Sequence, residues 1–236
     1  MRIALVNGER SEPSPRQRAV CPYCGHDMIA KCGRVRLWHW AHKSRSSCDP
    51  WWESETEWHR NWKGQFPTAW QEVVHVDKIS GERHIADVKT PFGLVIEFQH
   101  SPIEEIELKS REEFYKNMIW VVDGERGSTD RQYFDMGLLT SEPASFSPLV
   151  YYFGWSGQSR LVHNWAQASA PVYLDFGHEK LIWKLDRFDP DDRSGVVIPT
   201  KRDWFVDACL IDEPIPSISA DENDPRTYHR KMTRLY

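Results

Sequence analysis

Ile85-Ala86-Asp87-Val88 and, a turn later, Ile96-Glu97-Phe98-Gln99 are the stretches whose reading decides the fold. Each seats one acid among apolar neighbours, the pattern of a strand that carries a charge toward a sheet edge. Turn signals at Ser80-Gly81 and Pro91-Phe92-Gly93 bound them, so strands are expected over 73–77, 84–89 and 93–99. Side chains in a strand alternate between faces, which puts Glu97 and Gln99 on the same side. An acid and an amide on one face, opposite an acid on a neighbouring strand, are costly to bury without a metal or polar partners.

Working outward, residues 53–66 read as a helix that ends near Pro67, after a start signal at Asp49-Pro50. Glu55, His59 and Lys63 recur four apart and share a face, while Glu57 points away from it. Two readings stand for that stripe. On solvent it is an ion-pair ladder; turned inward, with Trp62 and Phe66 beside it, it offers Glu55 to a metal and Lys63 to a phosphate. His59 would then orient water, donate a proton or brace the others. A second helix is expected over 104–116, with Arg111 and Tyr115 four apart as bracing or phosphate-contacting residues, followed by an apolar strand over 118–122. Helix, three strands, helix, strand is an α/β core with mixed pairing. Carboxylates converging from strands and helix suit Mg²⁺ or Mn²⁺ and phosphodiester hydrolysis, with Asp87, Glu97 and Glu55 as ligands. Gln99 would position water or phosphate but carries no charge.

Upstream, Cys21-Pro22-Tyr23-Cys24-Gly25 is answered by His39-Trp40-Ala41-His42 and Cys48, around a small expected hairpin over 29–40. Two knuckles separated by a hairpin are how structural zinc gathers four ligands. The expected set is Cys21, Cys24, His42 and Cys48, with His39 as the competitor for His42 and Cys32 as a spare. Such a clip supplies folding energy to a module too small for its own core. Trp38 and Trp40 are expected to pack, with base stacking as the other reading. The stretch also carries Lys31, Arg34, Arg36, Lys43, Arg45, Arg60 and Lys63, either a solvated face or a surface for phosphates.

The chain has 236 residues, a formal net charge of -5, and no apolar run long enough for a membrane span. Four of five cysteines crowd between Cys21 and Cys48, which suits metal ligation in a reducing interior, so a cytoplasmic protein without a signal peptide is expected. Three regions are expected: 1–50 with the zinc module, 51–130 as the α/β core, and 131–236 completing or decorating it. In the last, strands are expected over 149–153, 171–176 and 181–185, the latter two a hairpin through Gly177-His178. A short helix over 202–210 and a loosely held tail after Asp212 follow.

In this order the segments resemble the CoiA-like competence protein family, across Cys21 to Gly124. The resemblance rests on the cysteine knuckle, His39-Trp40-Ala41-His42, Cys48, the helical Glu55, His59 and Lys63, and Ile85-Ala86-Asp87-Val88. It continues through Glu97-Phe98-Gln99-His100-Ser101-Pro102-Ile103, Arg111, Tyr115 and Ile119-Trp120-Val121-Val122. It implies a restriction-endonuclease-like mixed sheet flanked by helices, of PD-(D/E)XK type, behind a zinc-ribbon-like module. It further implies a metal at Asp87 and Glu97 with help from Glu55, and action on DNA, double- or single-stranded. A second copy of the chain or recombination proteins would be further partners, in uptake, recombination or defence against foreign DNA. Gln99 stands where the family's usual lysine is expected, and either Gln99 or Lys63 would fill that lysine's role. A DNA-binding factor on the same scaffold that no longer cuts is the alternative.

Overall fold

The structure, a computed structural model, describes residues 1–44, 48–141, 143–146, 148–155, 157, 159–177 and 180–219. Arg45 of the basic stretch, His178 of the expected hairpin turn and the tail from 220 onward lie outside the described residues. The chain divides into two compact units, 1–97 and 98–236.

The first unit opens with five short strands, β1 (Ala4–Val6), β2 (Glu9–Ser11), β3 (Arg18–Val20), β4 (Asp27–Lys31) and β5 (His39–His42). They form an antiparallel sheet in the order β2-β1-β3-β4-β5. The expected hairpin is present as β4 and β5, but the second arm begins at His39 and not at Val35. Strands β2 and β3 carry too few apolar residues to be read from alternation. Met1, Ala4, Ala19, Cys21, Met28 and Trp40 make the core of this sheet.

Helix α1 spans Glu57–Lys63, half the expected length. Its start is set by a reciprocal cap: the Thr56 side chain accepts from the His59 N–H, and His59 Nδ1 accepts from the Thr56 N–H. Glu55 therefore precedes the helix, and its place in a helical stripe with His59 and Lys63 is corrected. After a 3₁₀ turn at Thr68–Trp70 come β6 (Gln71–Val76), β7 (Arg83–Lys89) and β8 (Val95–Gln99), an antiparallel meander. The unit boundary falls within β8.

The second unit contains α2 (Glu105–Tyr115), β9 (Met118–Asp123), α3 (Asp130–Leu139), β10 (Pro143–Phe146), β11 (Leu149–Gly154), α4 (Arg160–Trp165), β12 (Val172–Asp175), β13 (Leu181–Asp189), β14 (Ser194–Lys201) and α5 (Arg202–Ile211). Its strands run β10-β11-β14-β13-β12-β9. β12 pairs parallel with β9 and antiparallel with β13, so the sheet is mixed, as expected of an α/β core. The core is aromatic: the Phe134 ring meets Phe153, Phe176 and Trp183. Helix α3 approaches β11 so closely that a Cβ on Gly137 would stand 2.7 Å from the Phe153 ring, which is why glycine sits there. Residues 213–219, expected to hang loosely, are tied down where Ile218 exchanges backbone bonds with Leu149 and Pro199.

One buried carboxylate organises this unit. Glu112 on α2 accepts from Trp120 Nε1 (3.0 Å), the Ser169 N–H (3.0 Å), Ser169 Oγ (2.5 Å) and the Ala170 N–H (3.1 Å). Helix, β9 and the approach to β12 are thereby locked together. Glu112→Ala strands several buried donors at once and is expected to cost about 3 kcal/mol of stability, measured by urea unfolding, with Glu112→Gln losing less.

Candidate functional site

The cysteine knuckle forms at the β3–β4 turn. Gly25 donates its N–H to the Cys21 carbonyl and the Cys21 N–H bonds His26, with Gly25 at φ +74°, a conformation open to glycine. β5 lies against β4 in a register that pairs His42 with Met28, and so places His42 near the turn. Cys21, Cys24, His42 and Cys48 bring one ligand atom each to within 4.8 Å of all the others, and this cluster could hold a zinc ion. Cys21 Sγ lies 3.8 Å from Cys48 Sγ, and Cys24 Sγ lies 3.2 Å from His42 Nε2. Tetrahedral zinc with bonds of about 2.3 Å to sulfur and 2.0 Å to nitrogen requires edges of about 3.8 and 3.5 Å, against which the S–S distance matches and the S–N distance is about 0.3 Å short.

The competitor is elsewhere. His39 sits at the far end of β5, opposite Lys31, with Nδ1 on the Leu37 carbonyl at 2.8 Å. Cys32 is outside the cluster. Burial raises the Cys21 thiol, and burial, with the neighbouring thiols, pushes Cys48 up to about 12. Cys24 is the exception: burial opposes its ionisation, yet hydrogen bonds from His26, Cys21 and His42 bring it down to about 6. Two thiols that resist ionising, crowded against a third that ionises readily, are what a divalent cation offsets.

The acids form a row. Gln71 pairs with Val88 and Val73 with Ala86, which sets Glu72 opposite Asp87; Val88 pairs with Ile96, which sets Glu97 opposite Asp87 on the other side. Glu97 Oε1 accepts the Asp87 N–H at 3.1 Å. The Lys63 ammonium is buried at 2.7 Å from Glu55, 3.0 Å from Glu72 and 3.6 Å from Asp87. Glu55 also takes Arg60 at 2.7 Å. The stripe therefore turns inward: Glu55 reaches Lys63 from the segment before the helix.

Glu72 went unnoticed in the sequence. It is an acid at the head of an apolar strand, and only the pairing of β6 with β7 reveals it. Its carboxylate accepts the N–H groups of Arg2 (2.8 and 2.9 Å) and Ile3 (2.7 Å), tying β6 to the segment entering β1. Burial opposes the charge, but Lys63 and those N–H groups hold Glu72 down at about 2. Glu55 is lowered as well: burial works against it and Lys63 prevails. Lys63 is pushed up, because Glu72, Asp87 and Glu55 together overcome its burial.

The remaining expected residues are placed as follows. His59 is buried, with Nδ1 at the α1 cap and Nε2 3.3 Å from Glu53; burial lowers its proton affinity, Glu53 and Asp87 raise it, and the net shift is upward. Its visible work is to fix the start of α1. Gln99 is buried and donates its amide to the Ser101 carbonyl at 2.9 Å. Arg111 bonds Glu107 one turn back and lies over the Trp120 ring, while Tyr115 packs against Phe114. Trp40 packs as expected, at 1% exposure, but Trp38 does not: it is 44% exposed.

Clip and acids are joined by Asp49. This buried carboxylate follows Cys48 and accepts the Ile85 N–H at 2.6 Å, with His84 Nδ1 at 2.8 Å from its other oxygen. Trp51 stacks on His84 with ring centroids 3.2 Å apart. Cys48 is thus anchored to the strand that carries Asp87.

Elemental analysis of the purified protein is expected to find zinc, lost in Cys48→Ser and His42→Ala and retained in His39→Ala. Glu72 gives a pH prediction. A depressed carboxylate contributes stability above its unfolded value of 4.5, and that contribution is lost as pH falls from there toward about 2. The stability difference between wild type and Glu72→Gln, measured by denaturant unfolding, is expected to be largest above pH 4.5 and to shrink below it.

Residues 10–50 match the family model described as competence protein CoiA, N-terminal domain, a span that contains all four members of the cysteine–histidine cluster. No curated protein and no solved structure matches the chain. Among the described residues no helix is long and apolar enough to cross a membrane. The match supports a CoiA-like relationship through the amino-terminal segment.

Proposed function

We propose that this protein is a metal-dependent deoxyribonuclease whose zinc clip is structural, working in a competence-related role of DNA uptake or recombination. The observation that carries it is the row Glu72, Asp87, Glu97 with Lys63 buried against its first two members and against Glu55. Glu55, Glu72 and Asp87 gather on Lys63, and Glu97 meets the Asp87 backbone, a concentration of acids that suits a divalent cation. Mg²⁺ takes oxygen ligands, keeps most of its waters, and needs only one or two carboxylates. Asp87 and Glu97, cross-strand neighbours on β7 and β8, are the pair this reading assigns to it, and the Asp87 side chain is 25% exposed and so open to a substrate.

Bound there, Mg²⁺ or Mn²⁺ supplies polarisation of a phosphate and a more acidic water. The chain's own residues do the rest. Lys63 stays protonated throughout the physiological range and favours the ionised forms of Glu55 and Glu72. It also stands in for the missing strand lysine, beside Asp87 where a phosphate would lie. Gln99 carries no charge, and its part is orientation. His59 acts through α1, by holding Thr56 and hence the approach of Glu55.

The non-cleaving DNA-binding reading has its own support: Gln99 spends its amide on Ser101, and Lys63 is engaged by three acids. Incubation of circular, linear and single-stranded DNA with Mg²⁺ or Mn²⁺ separates the two. Cleavage is expected, falling about a hundredfold or more in Asp87→Ala and in Glu97→Ala. Zinc-loaded, folded protein that binds DNA and cuts none of these substrates would establish the other reading.

A further inference from the structure

A groove of about 1120 Å³ opens in the first unit between the β4–β5 loop and the segment entering α1. Its walls include Arg34, Arg36, Trp38, Trp52, Glu55 and Arg60. It exceeds the roughly 300–1,000 Å³ of a site for one drug-sized molecule, so an extended ligand fits better than a compact one.

The wall chemistry is selective. Trp52 is 55% exposed and Trp38 is 44% exposed. The Trp38 indole N–H is spent on the Gly33 carbonyl at 3.1 Å, which fixes the ring and leaves its π face as the recognition surface. Arg34 and Arg36 are exposed, and no described residue forms an ion pair with either. The acids on the walls are mostly neutralised: Glu12 is held by Arg2 at 2.6 Å, and Glu55 by Lys63 and Arg60. Only Glu57, at the start of α1, is left against two arginines. Arginines beside exposed indoles are the combination that binds a phosphate backbone with unpaired bases. A duplex keeps its base faces stacked internally and cannot use the indoles.

The groove also reaches the acids. One nitrogen of Arg60 donates both to the Trp38 carbonyl at 2.8 Å and to Glu55 at 2.7 Å. We propose that this groove binds single-stranded DNA, with phosphates on Arg34 and Arg36 and bases stacked on Trp38 and Trp52, and leads it to Glu55. The inference rests on the hydrolytic reading for what happens at Glu55, but the binding itself does not require cleavage.

The test uses full-length zinc-loaded Asp87→Ala protein without Mg²⁺, and the anisotropy of fluorescein-labelled oligo(dT) across a salt series. Trp38→Ala and Trp52→Ala in that background are expected to weaken binding about tenfold each, and Trp38→Tyr to recover most of the loss. Arg34→Ala with Arg36→Ala is expected to flatten the slope of log K against log salt by about 1.4. Circular dichroism and zinc content check that each variant is folded. The proposal is overturned if the parent does not bind oligo(dT), or if folded variants all stay within about twofold of it. It is equally overturned if duplex of the same length binds as tightly and responds to the same substitutions. Groove-dependent binding by wild-type protein that cuts no DNA removes the nuclease reading and keeps this one; cleavage without groove dependence does the reverse.

Discussion

A buried ammonium among carboxylates is the constraint around which the first unit is arranged. Lys63 has left water, and that is tolerable only because Glu55, Glu72 and Asp87 arrive from three different segments to meet it. Each arrival depends on a separate local device. The Thr56–His59 cap starts α1 late enough for Glu55 to fold back. The β6–β7 register faces Glu72 toward Asp87. Glu72 itself adopts φ +47°, a strained value for a residue with a side chain, and its hydrogen bonds to Arg2 and Ile3 are what hold it there. Removing any one acid leaves the ammonium undercompensated, so the site is a unit of charge and not a set of independent residues.

The clip and the acids share a physical link as well as a chain. Cys48 closes the metal cluster, Asp49 follows it, and Asp49 accepts from Ile85 two residues before Asp87. A bound metal would fix Cys48, and through Asp49 would fix the start of the strand that carries the central acid. This gives a reason for the small cysteine–histidine module and the row of acids to lie in one compact unit. The module has a modest core of its own, so a metal bound in the cluster would contribute much to its folding.

Much of this was legible in the sequence, and the reasons differ from residue to residue. Cys21, Cys24, Cys48 and a histidine of the His39-Trp40-Ala41-His42 segment were readable because ligand types and knuckle spacing are local properties. Asp87 and Glu97 were readable because an acid inside an apolar run is costly without a purpose. Strands β7, β8, β9 and β12 came through as apolar runs between turn signals. Strands β2 and β3 did not, because three-residue strands with one apolar position carry no period. Trp38 was expected to pack because an indole usually does; it stays half exposed because it lies beyond the point where β5 begins.

Taken alone, the sequence determined which chemistries were present: soft ligands grouped in one segment, carboxylates on strands, a lysine and a histidine four apart. These are set by residue type and short spacing, and they survive any tertiary arrangement. Only the tertiary structure decided the partnerships. It chose His42 over His39, because β4 pairs with β5 in the register that takes His42 to the knuckle. It brought in Glu72, because cross-strand neighbours depend on pairing between distant segments. It moved Glu55 off the helix yet kept it on Lys63, because a buried charge selects its counterions by distance in space and not by position in the chain.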